Sequence, residues 1–315
     1  LCYCLNIVNY SLLMTTGLVN IGNTCFINAT LQCLFHIPQF NAFLDHYTFS
    51  TLLLKEFNDL RIMSHKGHNS IIPNRFVNVI RHISKEKNMD IFTTNAQNDL
   101  SEFLTFIMNT IHTEMVQKIQ IDIPPNLNEI DKKCFEMIQS TYSNDYSFII
   151  EYFYGMYITI IDTPDKVLSI KPEPFFILDL PIPNLPLVTL EDCLKLYVQP
   201  ETIEWKDETT NETIYASKKN RFWKMPKLLF VVFKRFDNFG RKNNTMVHVP
   251  LQFTMNNIKY LLLSVCNHMG NTNHGHYTCN VRKDQWYEIN DDCVNSIPES
   301  RVITPNAYCL LFSQV

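Results

Sequence analysis

The chain has 315 residues, 46% of them hydrophobic and 18% charged, with a formal net charge of −4 at pH 7. That is ordinary globular composition, long enough for one large domain or two of average size, each with a real core. No dense Lys/Arg run is present, which argues against nucleic acid as a partner, and no apolar stretch reaches the ~20 residues of a membrane span.

Residues 1–14, LCYCLNIVNYSLLM, are apolar but too short to cross a bilayer, and no Lys/Arg n-region makes them a convincing signal peptide. The segment before Met14 either continues a longer parent or precedes the native start, and it receives no structural assignment. From Thr15 to about Met115 the pattern is helical. CFINATLQCLFHI places Phe26, Ile27, Leu31, Leu34 and Phe35 on one face, with Pro38 ending the run. TLLLKEFNDLRIM is a second helix. DLSEFLTFIMNTIHTEM is a third, with Asn98 or Asp99 as its N-cap and Leu100, Phe103, Leu104, Ile107, Met108 and Ile111 as its stripe.

The character changes near Ser147. SFIIEYFYGMYITII, rich in Ile, Tyr and Phe, reads as strand, and KPEPFFILDLPIP as a strand punctuated by proline. TLEDCLKLYV is a short helix with Thr189 as cap and acids in its first turn. The polar stretch at about 206–220 reads as an exposed loop or hairpin tip. PKLLFVVFKRF is a near-continuous apolar strand, buried on both faces. YLLLSVCNH, HYTCNVRK and QWYEIN are further strands. No internal repeat or low-complexity tract appears. The fold class is α+β, a helical first third followed by a β-rich remainder, with a cleft between the two lobes as the natural place for a site.

The 10 cysteines are scattered rather than arranged as a disulfide framework, which points to a reducing, intracellular compartment. Cys25 follows a Gly-Asn-Thr turn and opens the first helix. A thiol there feels the positive end of the helix dipole, which favours thiolate; the competing reading is an inert buried cysteine. A nucleophilic cysteine needs a base and a group that orients the base. Most histidines stand alone, but His268, His274 and His276 crowd into CNHMGNTNHGHYTCNV. Gly17, Gly22, Gly270 and Gly275, four of only seven glycines, flank the two suspect segments. Cys266, His268, His274, His276 and Cys279 could also be read as zinc ligands, but their spacing fits no common zinc pattern. Downstream, Asn290, Asp291 and Asp292 read either as a turn or as an orienting group brought back beside His276.

Taken together, these segments resemble the ubiquitin-specific proteases, papain-like cysteine peptidases that remove ubiquitin. GLVNIGNTCFINATLQCLF is similar to the family's cysteine box. HMGNTNHGHYTCNVRKDQWYEINDD is similar to its histidine box, whose H-x-G-x(4)-G-H-Y spacing is met from His268 to Tyr277. QNDLSEFLTFIMNTIH, YFYG, EPFFILDLPIP, PKLLFVVFKRF and AYCLLF resemble the elements that stand between and after them. The resemblance runs from Gly17 to about Phe312.

It implies a thumb–palm–fingers architecture in a single catalytic domain over 15–315. A helical thumb would take 15–125, and an antiparallel β palm and fingers 126–315, with the fingers roughly 145–225. It implies Cys25 as nucleophile, His276 as base and Asn290 as the third triad member, orienting His276 through Nδ1–H. Asn20 would donate to the oxyanion, and Asp291 would orient or polarise. Gln97, Asp99, Gly275 and Tyr277 would line the channel for the substrate's tail. Many members hold a finger zinc with two CxxC pairs. The corresponding segments here have no cysteine, so no metal and no cofactor are expected. The expected partners are ubiquitin and ubiquitinated proteins, with no nucleic acid and no membrane, for a monomer working inside the cell, in cytoplasm or nucleus. A ubiquitin-like modifier as substrate, or a dead peptidase that only binds ubiquitin, are the alternatives.

Overall fold

Helices dominate the first half of the chain because caps and apolar stripes coincide there. The computed structural model describes residues 15–67, 69–89, 91–206, 211–272 and 274–315. Helix α1 (Cys25–Phe35) is buried along its whole length, as expected for a helix that is apolar on most sides. It stops at Phe35, and Pro38 opens a separate helix, α2 (Pro38–Leu44), at a position where its missing N–H costs nothing. Thr51 caps α3 (Leu52–Ser64) by accepting from Leu54 N–H. Next comes α4 (Asn74–Glu86). Asp99 caps α5 (Leu100–Glu114), its carboxylate accepting from the N–H groups of Ser101 and Glu102. Each such cap contributes about 1 kcal/mol.

Two elements depart from the sequence expectation in the middle of the chain. A sixth helix, α6 (Glu129–Tyr142), lies where none was expected; only Cys134 and Tyr142 are buried on it. The segment SFIIEYFYGMYITII, expected as strand throughout, divides at Gly155. Ser147 accepts from Ile149 and Ile150 N–H and starts α7 (Phe148–Phe153). The aromatic side chains that favour a strand serve equally well here: Phe148 stacks on Phe43 at 4.3 Å between ring centroids and on Tyr152 at 4.0 Å. Tertiary packing plus a cap outweighs local β preference.

The strands form two main sheets. β1 (Gly155–Asp162), β2 (Val167–Phe175), β5 (Glu201–Lys206) and β6 (Thr213–Lys224) make an antiparallel sheet in the order β2-β1-β6-β5. Much of the polar stretch expected as loop is therefore strand β6, while residues 207–210 lie outside the described residues. The larger sheet also takes β3 (Ile177–Leu180), β7 (Leu228–Phe233), β9 (Gln252–Met255), β10 (Ile258–Gly270), β11 (Gly275–Arg282), β12 (Trp286–Asn290), β13 (Cys293–Ile297) and β14 (Ala307–Gln314). Its order is β13-β12-β11-β10-β14-β7-β3, with β9 on β10. β4 (Val188–Thr189) and β8 (Val247–His248) form a small parallel pair, and β3 pairs parallel with β7, so the sheets are not wholly antiparallel. Every residue of β7 is buried. Helix α8 (Leu190–Val198) begins with a reciprocal capping box between Thr189 and Asp192.

The core follows from this layering. Helices α1–α5 and α7 pack on one face of the large sheet, with α1 against β10 and β11. The opposite face closes with α8 over a second cluster that contains Phe233, Tyr260 and Phe312. α6 covers the four-stranded sheet through Cys134, Met156 and Ile158. Among the described residues no helix is long and apolar enough to cross a membrane.

Candidate active site

Cys25 is the first residue of α1, and the start of that helix meets the Gly275 end of β11. Two glycines permit the approach. A Cβ on Gly17 would sit 2.5 Å from the Asp292 backbone, and one on Gly275 would sit 2.2 Å from His268 Nε2. Without Gly17 the chain before α1 could not lie along the β12–β13 turn, where Leu18 N–H donates to Asp291 C=O at 2.9 Å, and without Gly275 the His268 ring could not sit against β11. Asp291 turns that hairpin with φ of +50°, a conformation that aspartate tolerates better than most residues.

The structure brings His276 and Asn290 together. Nε2 of the imidazole lies 2.7 Å from Asn290 Oδ1. An amide oxygen only accepts, so Nε2 carries the proton and Nδ1 is left as the basic nitrogen. The expectation that Asn290 holds Nδ1–H is thus reversed. Tyr277, the next residue along, lines the same cleft as Cys25, and its backbone acts to lower the thiol pKa.

The thiol also differs from expectation. Cys25 is only 3% exposed. Burial pushes its pKa up, and the Asp291 charge adds to this; the N–H groups of Tyr277, Phe26 and Cys25 itself pull the other way and do not prevail. The helix terminus was expected to yield a thiolate, but desolvation is the larger effect.

Asn20 and Asp291 form one hydrogen-bonded unit. Asn20 Nδ2 donates to Asp291 Oδ2 at 3.0 Å, while Asn20 Oδ1 accepts from the N–H groups of Gly22 and Thr24 and from the Thr24 hydroxyl. The GNT turn is therefore folded around the Asn20 carboxamide. The other oxygen of Asp291 accepts from Asn28 Nδ2 at 2.8 Å.

The four residues expected to line the channel gather at its other wall. Gln97 makes a two-way contact with Gly275, Nε2 donating to its C=O and Oε1 accepting its N–H, both at 2.8 Å. Asp99 is fully engaged: Oδ1 caps α5 and takes the Ser101 hydroxyl, and Oδ2 accepts from Tyr277 at 3.2 Å and Tyr308 at 2.7 Å. Burial and that carboxylate drive both tyrosine pKa values up, so both are neutral donors. A cleft of about 420 Å³ lies over these groups, with Cys25, Gln97, Asp99, Gly275 and Tyr277 in its lining.

Four residues of the site were missed from the sequence. Tyr308 at the start of β14 and Phe236 just past the end of β7 line the cleft, and the strand pattern gave no reason to single them out. His268 was seen in the histidine cluster but given no place; its ring lies 4.7 Å from that of Tyr277, and burial lowers its pKa to about 4. Asn28, one turn after Cys25, had a visible signal: a polar residue in the run that forms an apolar helix. Cys266 and Cys279, weighed as zinc ligands, instead pair across β10 and β11 in the core. Among the described residues, no three His, Cys, Asp or Glu side chains gather as a metal-holding group.

The family profile described as ubiquitin carboxyl-terminal hydrolase matches residues 16–312. The chain belongs to the ubiquitin carboxyl-terminal hydrolase family. Curated relatives agree. It is 29% identical over 335 residues to human ubiquitin carboxyl-terminal hydrolase 2, a match covering 94% of this chain and 54% of the relative. It is 30% identical over 302 residues to Dictyostelium discoideum ubiquitin hydrolase B, covering 83% and 67%. Eremothecium gossypii ubiquitin carboxyl-terminal hydrolase 4 is 25% identical, with 96% and 43% covered. The chain thus spans about half the length of the human and Eremothecium relatives. Among solved structures, the SAGA deubiquitinating module Ubp8/Sgf11/Sus1/Sgf73 bound to monoubiquitin superposes with a TM-score of 0.77 at 22% identity, over 98% of this chain and 70% of the matched one. The same module bound to ubiquitin aldehyde gives 0.76. The fold of this family is the one described above, helices packed on a mostly antiparallel sheet.

Proposed function

We propose that the chain is a thiol-dependent deubiquitinating peptidase that hydrolyses the bond after ubiquitin's C-terminal glycine, through Cys25, His276 and Asn290. The observation that carries this reading is the 2.7 Å contact between His276 Nε2 and Asn290 Oδ1, with the neighbouring Tyr277 lining the same cleft as Cys25. In this reading Nδ1, the nitrogen not engaged by Asn290, serves the thiol.

The steps follow from protonation states. The resting thiol is protonated, so His276 Nδ1 takes its proton as sulfur attacks the carbonyl carbon. A C–S bond forms and the carbonyl oxygen becomes an oxyanion. Asn20 Nδ2 has two hydrogens; Asp291 occupies one, and in this reading the other would donate to the oxyanion along with backbone N–H groups around Cys25. Collapse breaks the C–N bond, and His276 returns its proton to the leaving amine. Water, deprotonated by His276, then cleaves the thioester and frees the thiol and the ubiquitin carboxylate. The buried sulfur suits a substrate with a slim tail: side chains near the scissile bond would not fit a cleft lined by Gly275 and Tyr277. The division into thumb (15–125), palm and fingers (126–315, fingers roughly 145–225) belongs to the same reading, with the substrate's folded body resting on the β2-β1-β6-β5 sheet.

The test uses ubiquitin carrying an electrophilic trap in place of its last glycine, incubated with wild type and with Cys25→Ala. A mass gain of one ubiquitin on wild type alone supports nucleophile and substrate together. Failure of folded wild type to react with ubiquitin, while a ubiquitin-like modifier with the same trap does react, would move the substrate. Failure with all of them would remove the activity.

A further inference from the structure

Helix α1 is buried at every position, yet one turn after the nucleophile it carries an amide rather than an apolar side chain. Asn28 is 2% exposed. Its Nδ2 donates twice, to Leu18 C=O at 3.0 Å and to Asp291 Oδ1 at 2.8 Å. Both partners are acceptors, so the amide has only one sensible orientation. That orientation leaves Oδ1 buried with no partner. A buried acceptor without a donor is costly, and an apolar residue would serve packing better. What the amide gains in return is its hold on Asp291.

Asp291 in turn is shared. Asn28 fixes one of its oxygens, and the other accepts from Asn20, the side chain around which the GNT turn folds. Asn20 is exposed at the surface of the site, and its Nδ2 has no other hydrogen bond among the described residues than the one to Asp291. The aim of its second hydrogen therefore depends on where Asp291 stands. Leu18 N–H holds the Asp291 backbone, but among the described residues its carboxylate is fixed by the two amides, and Asn28 reaches it from the buried helix α1.

We infer that Asn28 is a positioning residue of the oxyanion hole, holding Asp291 so that Asp291 aims Asn20 at the developing oxyanion. The inference rests on the functional reading above. An oxyanion donor contributes chiefly in the transition state, and a displacement of about 1 Å in such a site costs up to 10²-fold in rate. Loss of Asn28 should therefore lower kcat and leave KM nearly alone.

The experiment measures kcat and KM on a fluorogenic C-terminal ubiquitin amide for Asn28→Ala, Asn28→Leu and Asn28→Asp, each in the wild-type and the Asn20→Ala background, with Tm for every protein. The expected result is a kcat lowered about tenfold by Ala and Leu with KM within about twofold. In the Asn20→Ala background the same changes should alter kcat by less than about twofold, because the group they position is gone. Asn28→Asp should be the worst of the three although it is the closest in shape, since it sets a carboxylate against Asp291. An unchanged kcat in the Ala and Leu variants would overturn the inference, as would an equal fold-loss in both backgrounds, or an Asp variant that is the least impaired, the order packing alone would give. A wild type that turns over no ubiquitin amide would instead sink the functional reading, and with it this one; that outcome is visible before any variant is made.

Discussion

Asn290 holds the His276 ring without lending it charge. An aspartate in its place would keep the acceptor oxygen and also stabilise the imidazolium. Asn290→Asp is therefore expected to retain activity on a ubiquitin amide, while Asn290→Ala should lose about 10–100-fold in kcat/KM; an Ala variant with unchanged kcat/KM would take Asn290 out of the mechanism. Asp99 is the opposite kind of residue, one whose stability role exceeds what the motif suggested. Asp99→Ala removes the α5 cap and leaves two buried tyrosine hydroxyls without their acceptor. The expected cost is roughly 3 kcal/mol, read as a lower urea midpoint with unchanged slope. The sequence made Cys25, His276, Asn290 and Asn20 visible because residue type and order in a motif survive without coordinates. It could not show which imidazole nitrogen meets Asn290, nor that burial outweighs the helix dipole at Cys25, because both depend on how closely remote segments approach.

Among the elements, α6 was hidden for a physical reason: most of its side chains are charged or polar, and its contact with β1 and β6 is made by few residues. Trp223 on β6 donates from Nε1 to Asp131 on α6 at 2.7 Å, and its ring meets Phe135 edge-on at 5.4 Å. The sheet beneath is tied laterally by pairs such as Lys218–Glu201 at 2.8 Å. Exposed pairs of this kind contribute little, so beyond the strand ladders themselves the helix is the brace. Trp223→Ala should destabilise this sheet by roughly 3 kcal/mol, seen as faster amide exchange in β1 and β6 while α1 and β10 stay protected. Uniform loss of protection would mean the brace serves the whole molecule. Because that sheet pairs strand to strand and packs against α6, dialysis against a strong chelator is expected to leave Tm and ubiquitin turnover unchanged; a drop restored by zinc would show a metal site. Helices α1, α3, α5 and α8 were legible because a stripe or a cap stands in each, whereas α7 was misread because Phe, Ile and Tyr satisfy either periodicity over six residues.

At the scale of the whole molecule, the order of helical and β-rich parts was readable, although the change read near Ser147 falls at Gly155, after α7; the parallel pairing of β3 with β7 was not, because local pattern carries no strand order. Buried histidines tie the assembled lobes to pH. Burial lowers the pKa of His36 to about 3, and those of His65 and His268 to about 4, with Lys283 near the first two and Lys242 near the third acting in the same direction. In the unfolded chain these rings take protons near pH 6.5, in the folded one only near 4 or below. Between those values the unfolded state binds more protons, so stability falls as pH falls, by up to roughly 1.4 kcal/mol per pH unit for each ring. Tm is expected to hold from pH 8 to about 7 and to decline steadily toward pH 5; a Tm flat to pH 5 would mean that the rings are charged in place. The covered state of Cys25 has its own consequence for chemistry from outside. Small alkylators and oxidants select cysteines by thiolate content and access, and Cys25 offers little of either, while Cys293 is exposed. Cys25 is therefore latent toward indiscriminate reagents: a brief pulse of iodoacetamide should mark Cys293 before Cys25, and on the proposed function only a reagent that arrives as a substrate does, tail first, should find Cys25.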